Sequence, residues 1–320
     1  MSVFRKILKF PFRIIKQHAM LTTWWKSRFV DPDHHIYPDN VWYRAHEERN
    51  FDVVNLGSSA SKWAFCYDNL PIKAMNWAQQ PQSLVDDYRL LQNFHSILKK
   101  GGNVLIVIMP FSSLNKKNTV LNTLRYVGTL DYTLLDLQYR DEACTLAKNP
   151  VAFGKKKTLK QGLKHLLGRD KGELPPIITE RILSHTQLSE SALQYIRGWK
   201  KEFNIIDFDA PLTPENIEGR KYRKEVLKDI ISFCKERSYN PIIVLPPISS
   251  QLNEYFSDTF KEVYIYSFIR ETCPDVRLLD YMTDERFIKD ENFYDSLLLN
   301  HSASEEFTRQ VLTDLELIQI

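Results

Sequence analysis

Short segments of continuously apolar residues recur along this chain, and longer amphipathic segments separate them. The clearest apolar runs are 51–57 (FDVVNLG), 103–109 (NVLIVIM) and 241–245 (PIIVL). Strands that are apolar on both faces are typical of a parallel sheet, because helices cover both sides of such a sheet. The pattern therefore predicts an α/β fold of the flavodoxin-like, three-layer kind, with a doubly wound, mostly parallel sheet.

The remaining elements follow the same alternation. Two further strands are predicted at 72–78 and 276–281. Residues 82–100 have apolar positions at helical spacing and stop at Gly101-Gly102, which is typical of a helix C-terminus. Further helices are predicted at 190–201, 214–238, 252–271 and 302–317, the last opened by a capping box from Ser302 to Glu305.

The domain organisation follows from where this alternation is clear. Residues 1–50 are predicted to form an N-terminal arm, and 51–320 a single α/β domain. Residues 111–205 are the least regular part, and we interpret them as a helical insertion that covers or borders the site. Three tryptophans, Trp42, Trp63 and Trp77, are expected in the core or in the lining of a pocket, with sugar stacking as the alternative.

Composition excludes several classes of protein. A net charge of +3 does not by itself indicate a nucleic-acid binder, and neither GxGxxG nor GxxxxGK is present for a nucleotide. The four cysteines form no CxxC pair, which argues against a structural zinc site and for a reducing compartment. We therefore expect no cofactor, no metal and no nucleic-acid partner, and a cytoplasmic location.

The first 29 residues form a basic, aromatic-rich segment. They carry seven lysines and arginines and no acidic residue: Arg5, Lys6, Lys9, Arg13, Lys16, Lys26 and Arg28. Such a segment can lie on an anionic membrane, so peripheral contact with the inner membrane surface is predicted. The alternative is an arm whose apolar face packs on the domain. A second basic run, 155–157, is interpreted as a solvated face or as a rim that attracts anions.

The residues that leave the first strand carry the candidate chemistry. In parallel sheets, ligands bind beyond the carboxyl ends of the strands. Here Gly57 permits a tight exit, and Ser59 would stand where the next helix begins, among backbone N–H groups that can bind an oxyanion. A Gly-Ser-Ser triplet alone is more often a plain helix cap.

Two segments together resemble SGNH (GDSL-type) hydrolases. VVNLGSSASKWAF resembles their first block, and FYDSLLLNHSASEEFT resembles their last. The resemblance spans roughly 51–110 and 214–317 and is closest to the O-acyltransferase-like and esterase-like proteins of bacterial surface-polysaccharide clusters. It implies Ser59 as nucleophile and Asp295 as the carboxylate that orients a base. The ligand-binding residues that it implies are Gly57, Ser58, Asn76 and Ala78.

The chain departs from that family at the most important position, because the catalytic histidine is replaced by Leu298. The glycine of the second block falls on Ala78, and no Gly-x-Asn follows the third strand. A serine is a poor nucleophile without a base. His301 is the candidate for a relocated base, and the alternative is a surface residue. His165 and His185 are further histidines that could enter the site from the insertion.

These observations predict an SGNH-like protein of bacterial glycan metabolism that takes an acylated glycan or acyl donor. It would perform ester hydrolysis or O-acyl transfer if active, and the missing histidine predicts an impaired or non-catalytic state. The alternative is a non-enzymatic glycan-binding or scaffold protein at the inner membrane surface. The retained Ser59 and Asp295 favour an enzyme. Leu298, which is expected to fill the gap between them, favours a binding protein.

Overall fold

The computed structural model describes residues 11–12, 14–15, 17–19, 21–22, 49–79, 81–114, 118–148, 155–169 and 181–319. Most of the basic segment at 1–29, Trp42 and the side chains of 155–157 lie outside the described residues. The chain divides into two compact units, one of 1–47 with 118–177 and one of 48–117 with 178–320. The region interpreted as one insertion at 111–205 is therefore shared between the two units.

The larger unit is built on a parallel sheet, which confirms the predicted α/β class. Its strands are β1 Phe51–Leu56, β2 Ala74–Asn76, β3 Leu98–Val107, β4 Asn240–Leu245 and β5 Arg277–Asp280. The strands are ordered β2-β1-β3-β4-β5, and every neighbouring pair is parallel. This order changes direction between β1 and β3, which makes that point the topological switch point of the sheet.

Helices connect the strands. Numbered along the chain, they are α1 Ser59–Ala64, α2 Leu84–Phe94, α3 Val120–Leu124, α4 Arg140–Lys148, α5 Lys155–Leu166, α6 His185–Glu202, α7 Pro214–Glu236, α8 Ser250–Asn253, α9 Asp258–Lys261, α10 Ser267–Thr272 and α11 His301–Asp314. The described helices include none long and apolar enough to cross a membrane.

Alternate residues of the strands supply the two faces of the sheet. On one face, Val53, Leu105 and Val244 pack in a single apolar cluster with Phe307 and Val311 of α11. The residues between them in each strand are equally buried and point to the opposite face. Helices α2 and α7 pack against each other and α7 packs on β4, outside that cluster. The sheet is therefore covered on both sides, as its continuously apolar strands require.

The helix predicted at 82–100 is shorter than expected. It ends at Phe94, and β3 already begins at Leu98, so Gly101-Gly102 lies inside the strand and not at a helix terminus. The pairing register of β1 and β3 shifts between Phe51 and Val53, and Gly101 has φ +76. The glycine pair therefore accommodates an irregularity in the strand, which glycine allows because it has no Cβ.

Two predictions for the C-terminal half also change. The segment 252–271 is not one helix: α8 and α9 start separately at the capping serines Ser249 and Ser257, and a π-helical turn at Glu262–Tyr266 leads into α10. Helix α11 begins at His301, one residue before the predicted capping box. Its cap is Asn300, whose side chain accepts a hydrogen bond from the Ala303 N–H at 3.0 Å.

The smaller unit contains α3, α4 and α5. Thr119 caps α3, and the Asn118 side chain donates to Asp136 at 2.9 Å. His18 and His165 approach each other through their Nδ1 atoms at 3.0 Å. His165 therefore has its contact within this unit.

Gly57→Ala is expected to destabilise the protein by about 2 to 4 kcal/mol. Gly57 has φ +127, and a Cβ there would lie 2.7 Å from the Cβ of Ser61, so the substitution adds both strain and a clash. The matched control is Gly198→Ala in α6, where nothing lies within 4 Å. The free energy of unfolding of that variant should rise by about 0.5 to 1 kcal/mol. Urea unfolding measures both; equal effects would contradict the close approach at Gly57.

Candidate functional site

A buried network of amide side chains holds α1 against the sheet. The Nδ2 group of Asn55, in β1, donates to Ser61 Oγ at 3.0 Å and to Asn76 Oδ1 at 2.9 Å. The Nδ2 group of Asn76 donates to the carbonyls of Lys62 and Phe65. Because buried polar groups need their partners, this network holds β1, β2 and α1 in one arrangement. Asn76 is thus a structural residue, and its hydrogen bonds lie within the protein.

A cavity of about 250 Å³ opens at the switch point of the sheet and is called the Ser59 cavity below. Residues 57–60, which follow β1, and 109–112, which follow β3, form two of its walls. Residues 81–84 with Asp87 of α2 form a third. Ligands bind at this place in doubly wound sheets, because two neighbouring loops diverge there and leave a crevice.

One wall of the Ser59 cavity carries buried charged groups. Asp87 is 1% exposed, and its Oδ1 accepts hydrogen bonds from the Gly57 N–H at 2.9 Å and from Gln82 Nε2 at 2.6 Å. Burial raises the pKa of Asp87 to about 7, and the hydrogen bonds from Gln82 and from the Gly57 N–H oppose part of that rise. Burial lowers the pKa of the Arg223 guanidinium, which also lines the cavity. The cavity therefore contains a carboxyl group that titrates near neutral pH.

Aromatic rings form another wall. Phe111 lies 4.8 Å from the ring of Trp199 and is stacked on Phe203 at 5.4 Å. Trp199 belongs to α6, in the region interpreted as an insertion, and the sequence analysis missed its role. The helical pattern of 190–201 was the available signal, but it did not reveal which face met the cavity. Of the tryptophans considered, Trp77 is fully buried and Trp63 packs on Tyr294 at 4.7 Å.

Ser59 lies where the sequence predicted it. It is the first residue of α1 and lines the Ser59 cavity together with Gly57 and Ser58. Ser58 Oγ accepts a hydrogen bond from the Gln82 N–H at 3.2 Å. Leu297, two residues after Asp295, lines the same cavity. The structure therefore brings the Asp295 segment to the same edge of the sheet as Ser59.

Asp295 is engaged by groups other than a histidine. Its Oδ2 accepts a hydrogen bond from the Tyr195 hydroxyl at 3.0 Å. Its Oδ1 accepts from the backbone N–H groups of Leu297 and Leu298, each at 2.9 Å. Burial raises the pKa of Asp295, and these N–H donors oppose the rise. In the family that the sequence resembles, an imidazole donates a hydrogen bond to this carboxylate. Here the Tyr195 hydroxyl donates to it.

The leucine in the cavity wall differs from the one expected. Leu298 is buried but does not line the Ser59 cavity, whereas Leu297 does. Both backbone N–H groups bind Asp295, so the chain turns tightly there and successive side chains point in different directions. We expected Leu298 to fill the gap beside Ser59, but the leucine that lines this cavity is Leu297.

The candidate histidine bases lie elsewhere. His301 does not line the Ser59 cavity; it is the first residue of α11, and its Nε2 is 3.5 Å from Glu305 Oε1. His185 is exposed and contacts Asp290 and Gln251. Among the described residues, no histidine lines the Ser59 cavity.

The second expected oxyanion donor is also engaged. The Ala78 N–H donates to Asn76 Oδ1 at 3.1 Å. Neither residue lines the Ser59 cavity, although the segment that carries them reaches Gly57, whose carbonyl accepts a hydrogen bond from the Gln79 N–H at 3.2 Å. Both groups take part in the network that holds α1, Asn76 through its side-chain amide and Ala78 through its N–H.

The free energy of unfolding should depend on pH because the pKa of Asp87 differs between the folded and unfolded chain. Because its pKa is raised from the usual 3.8 to about 7, the folded state binds this proton more tightly. The resulting stabilisation is complete below about pH 4 and is lost as the pH rises through 7, by up to about 4 kcal/mol. We therefore expect Asp87→Asn to gain stability relative to the unmodified chain between pH 4 and 8 in urea unfolding.

Asp284→Asn is the control for this titration. Its hydrogen bonds with Arg286 lower the pKa of Asp284, so its stabilising effect is present at neutral pH and is lost as the pH falls through the lowered value. As the pH rises, the stability relative to the unmodified chain should therefore increase for Asp87→Asn and decrease for Asp284→Asn. A stability difference for Asp87→Asn that does not vary with pH would contradict the raised pKa.

Similarity to known proteins does not identify the site. No protein-family model and no curated protein sequence matches the chain. The sheet order and the position of the Ser59 cavity at the switch point therefore carry the assignment of the site.

Proposed function

We propose that this chain is an SGNH-hydrolase-like protein of bacterial surface-polysaccharide metabolism that binds an acylated glycan without serine-hydrolase turnover. One observation carries the proposal: Ser59 lines the cavity, whereas the described histidines do not. The fold supports a ligand at this place, and the missing base argues against chemistry there. A cytoplasmic location with peripheral contact to an anionic membrane remains part of this proposal.

The contacts of Asp295 support a non-catalytic state. In a serine hydrolase, a carboxylate orients the imidazole that removes the serine proton. Here the Tyr195 hydroxyl donates to that carboxylate. Burial and the charge of Asp295 raise the pKa of Tyr195, so the phenol keeps its proton and is no base at neutral pH. The Tyr195–Asp295 contact therefore cannot remove the Ser59 hydroxyl proton as a histidine–carboxylate pair would.

The size and chemistry of the Ser59 cavity favour one acylated sugar. About 250 Å³ is at the small end of ligand pockets, so the cavity has room for one ring with a short acyl group. The rings of Phe111 and Trp199 offer flat apolar faces to such a group. The hydroxyls of Ser58 and Ser59 and the buried side chains of Asp87 and Arg223 offer polar groups for contacts with sugar hydroxyls.

The enzymatic alternative has one specific observation in its favour. Asp87 lines the same cavity as Ser59, and its pKa of about 7 is suited to a general base. In this second candidate function, Asp87 would remove the Ser59 proton and the chain would be a slow esterase or O-acyltransferase. The two candidates differ in whether acetate is released.

A binding and turnover experiment with methyl 6-O-acetyl-glucoside separates them. We expect calorimetry to show binding to the unmodified chain and chromatography to show that the ester stays intact. Trp199→Leu should weaken binding about 10-fold, because it removes a ring from the cavity wall. Ser59→Ala should leave the background rate of acetate release unchanged. Ser189→Ala, at a half-buried position of α6 that does not line the cavity, is the matched control and should alter neither quantity.

Each contrary result has a defined meaning. Absence of binding to the unmodified chain would reject the ligand assignment. Acetate release that disappears in Ser59→Ala would reject the non-catalytic state. If it also disappears in Asp87→Asn, Asp87 is the base and the enzymatic alternative holds.

Introducing a histidine should create a base only at the position that lines the cavity. We expect Leu297→His to raise hydrolysis of p-nitrophenyl acetate in a Ser59-dependent manner. General-base assistance is typically worth about 10²- to 10⁴-fold, and the lower end is expected because the Ala78 N–H is already engaged. Leu298→His is the control and should show no rise. Activation by Leu298→His alone would show that position 298 reaches Ser59.

A further inference from the structure

Cys66, His301 and Glu305 bring a thiol, an imidazole and a carboxylate together away from the wall of the Ser59 cavity. One ligand atom from each lies within 4.8 Å of the other two, and this group is called the Cys66 cluster below. None of the three lines the Ser59 cavity, and neither the proposed binding there nor its enzymatic alternative with Asp87 uses them. We propose that the Cys66 cluster is a binding site for one zinc-like divalent ion.

The distances suit a tetrahedral ion. Zinc binds imidazole nitrogen and carboxylate oxygen at about 2.0 to 2.2 Å, so two such ligands stand about 3.4 Å apart in a tetrahedron. His301 Nε2 and Glu305 Oε1 are 3.5 Å apart. Ligand atoms of a tetrahedral zinc stand about 3.6 Å from its sulfur, so the thiol and the other two ligands have to approach each other by about 1.2 Å at most. The His301 and Glu305 side chains are partly exposed, which leaves them room to move.

The backbone around the Cys66 cluster is already held in place. His301, Glu305 and Thr308 are spaced by four and three residues along α11, so they lie on one face of the helix. Thr308 Oγ1 accepts a hydrogen bond from the Cys66 N–H at 2.8 Å. This bond fixes the thiol-bearing residue against the helical face that carries the other two ligands. The site therefore does not depend on rearrangement of the chain.

The donor set selects the kind of ion. Sulfur and imidazole ligands favour zinc and similar transition metals over Mg²⁺ and Ca²⁺, which prefer oxygen. On binding, the Cys66 S–H bond breaks, the sulfur–metal bond forms, and the proton passes to solvent. One thiolate and one carboxylate then balance the two positive charges of the ion. Three protein ligands leave the fourth tetrahedral position to water.

No local sequence motif indicates this site: the cysteines form no CxxC pair, and we expected no metal for that reason. Cys66 follows α1, whereas His301 and Glu305 stand at the start of α11. Only the packing of α1 on α11 brings them together. Occupation of the site would connect the segment after α1 to the last helix by metal bonds.

Cobalt titration of the full chain tests the proposal. We expect Co²⁺ to produce the visible bands of a tetrahedral site and a thiolate-to-cobalt charge-transfer band, and Zn²⁺ to remove both by displacement. Cys66→Ser should abolish the charge-transfer band. Cys144→Ser and His185→Gln are the matched controls, and both should keep the full spectrum. Bands that persist in Cys66→Ser and disappear in Cys144→Ser would overturn the proposal.

A second measurement covers a failure of Cys66→Ser to fold. Competition with a chromophoric zinc chelator should show one Zn²⁺ per unmodified chain. Glu305→Gln, at a partly exposed position, should weaken the affinity about 10-fold without changing the circular dichroism spectrum. Less than one Zn²⁺ per unmodified chain, or unchanged affinity in Glu305→Gln, would overturn the proposal. Neither result depends on acetate release from the Ser59 cavity.

Discussion

The hydrogen bonds of Asn55 at the end of β1 are the constraint on which the site depends. Through Ser61 and Asn76 they join β1, β2 and α1, and each member is buried, so the loss of one partner would leave others unsatisfied. The close approach at Gly57 belongs to the same arrangement. Together these contacts set where Ser59 begins its helix, and the cavity at the switch point follows from that position.

Helix α6 completes this arrangement from a distant part of the chain. Its Tyr195 binds Asp295, its Ser191 contacts Ser296 at 3.1 Å, and its Trp199 packs on Phe111. A buried carboxylate requires a donor, and a phenol meets that requirement as a histidine would. The phenol cannot take a proton from serine at neutral pH. The Asp295 carboxylate is therefore satisfied by the Tyr195 hydroxyl and by backbone N–H groups, without a histidine.

A single short helix connects the two sites considered. Helix α1 starts with Ser59 at the cavity, and Cys66 follows its end at the face of α11. The Thr308 contact therefore holds the segment after α1, and the Asn55 network holds Ser61 and Lys62 within the helix. A metal ion bound at the Cys66 cluster would reinforce the same helix, although the two proposals rest on different residues and are tested separately.

The sequence by itself determined the parallel strands, most of the long helices and the place of Ser59, because apolar periodicity and turn residues act over short distances. It did not show that 252–271 is broken by capping serines, or that Leu297 and not Leu298 lines the cavity. Only the tertiary structure decided that Tyr195 binds Asp295 and that His301 meets Cys66. Those partners are far apart in the chain, and their meeting depends on how whole helices pack, which local patterns do not encode.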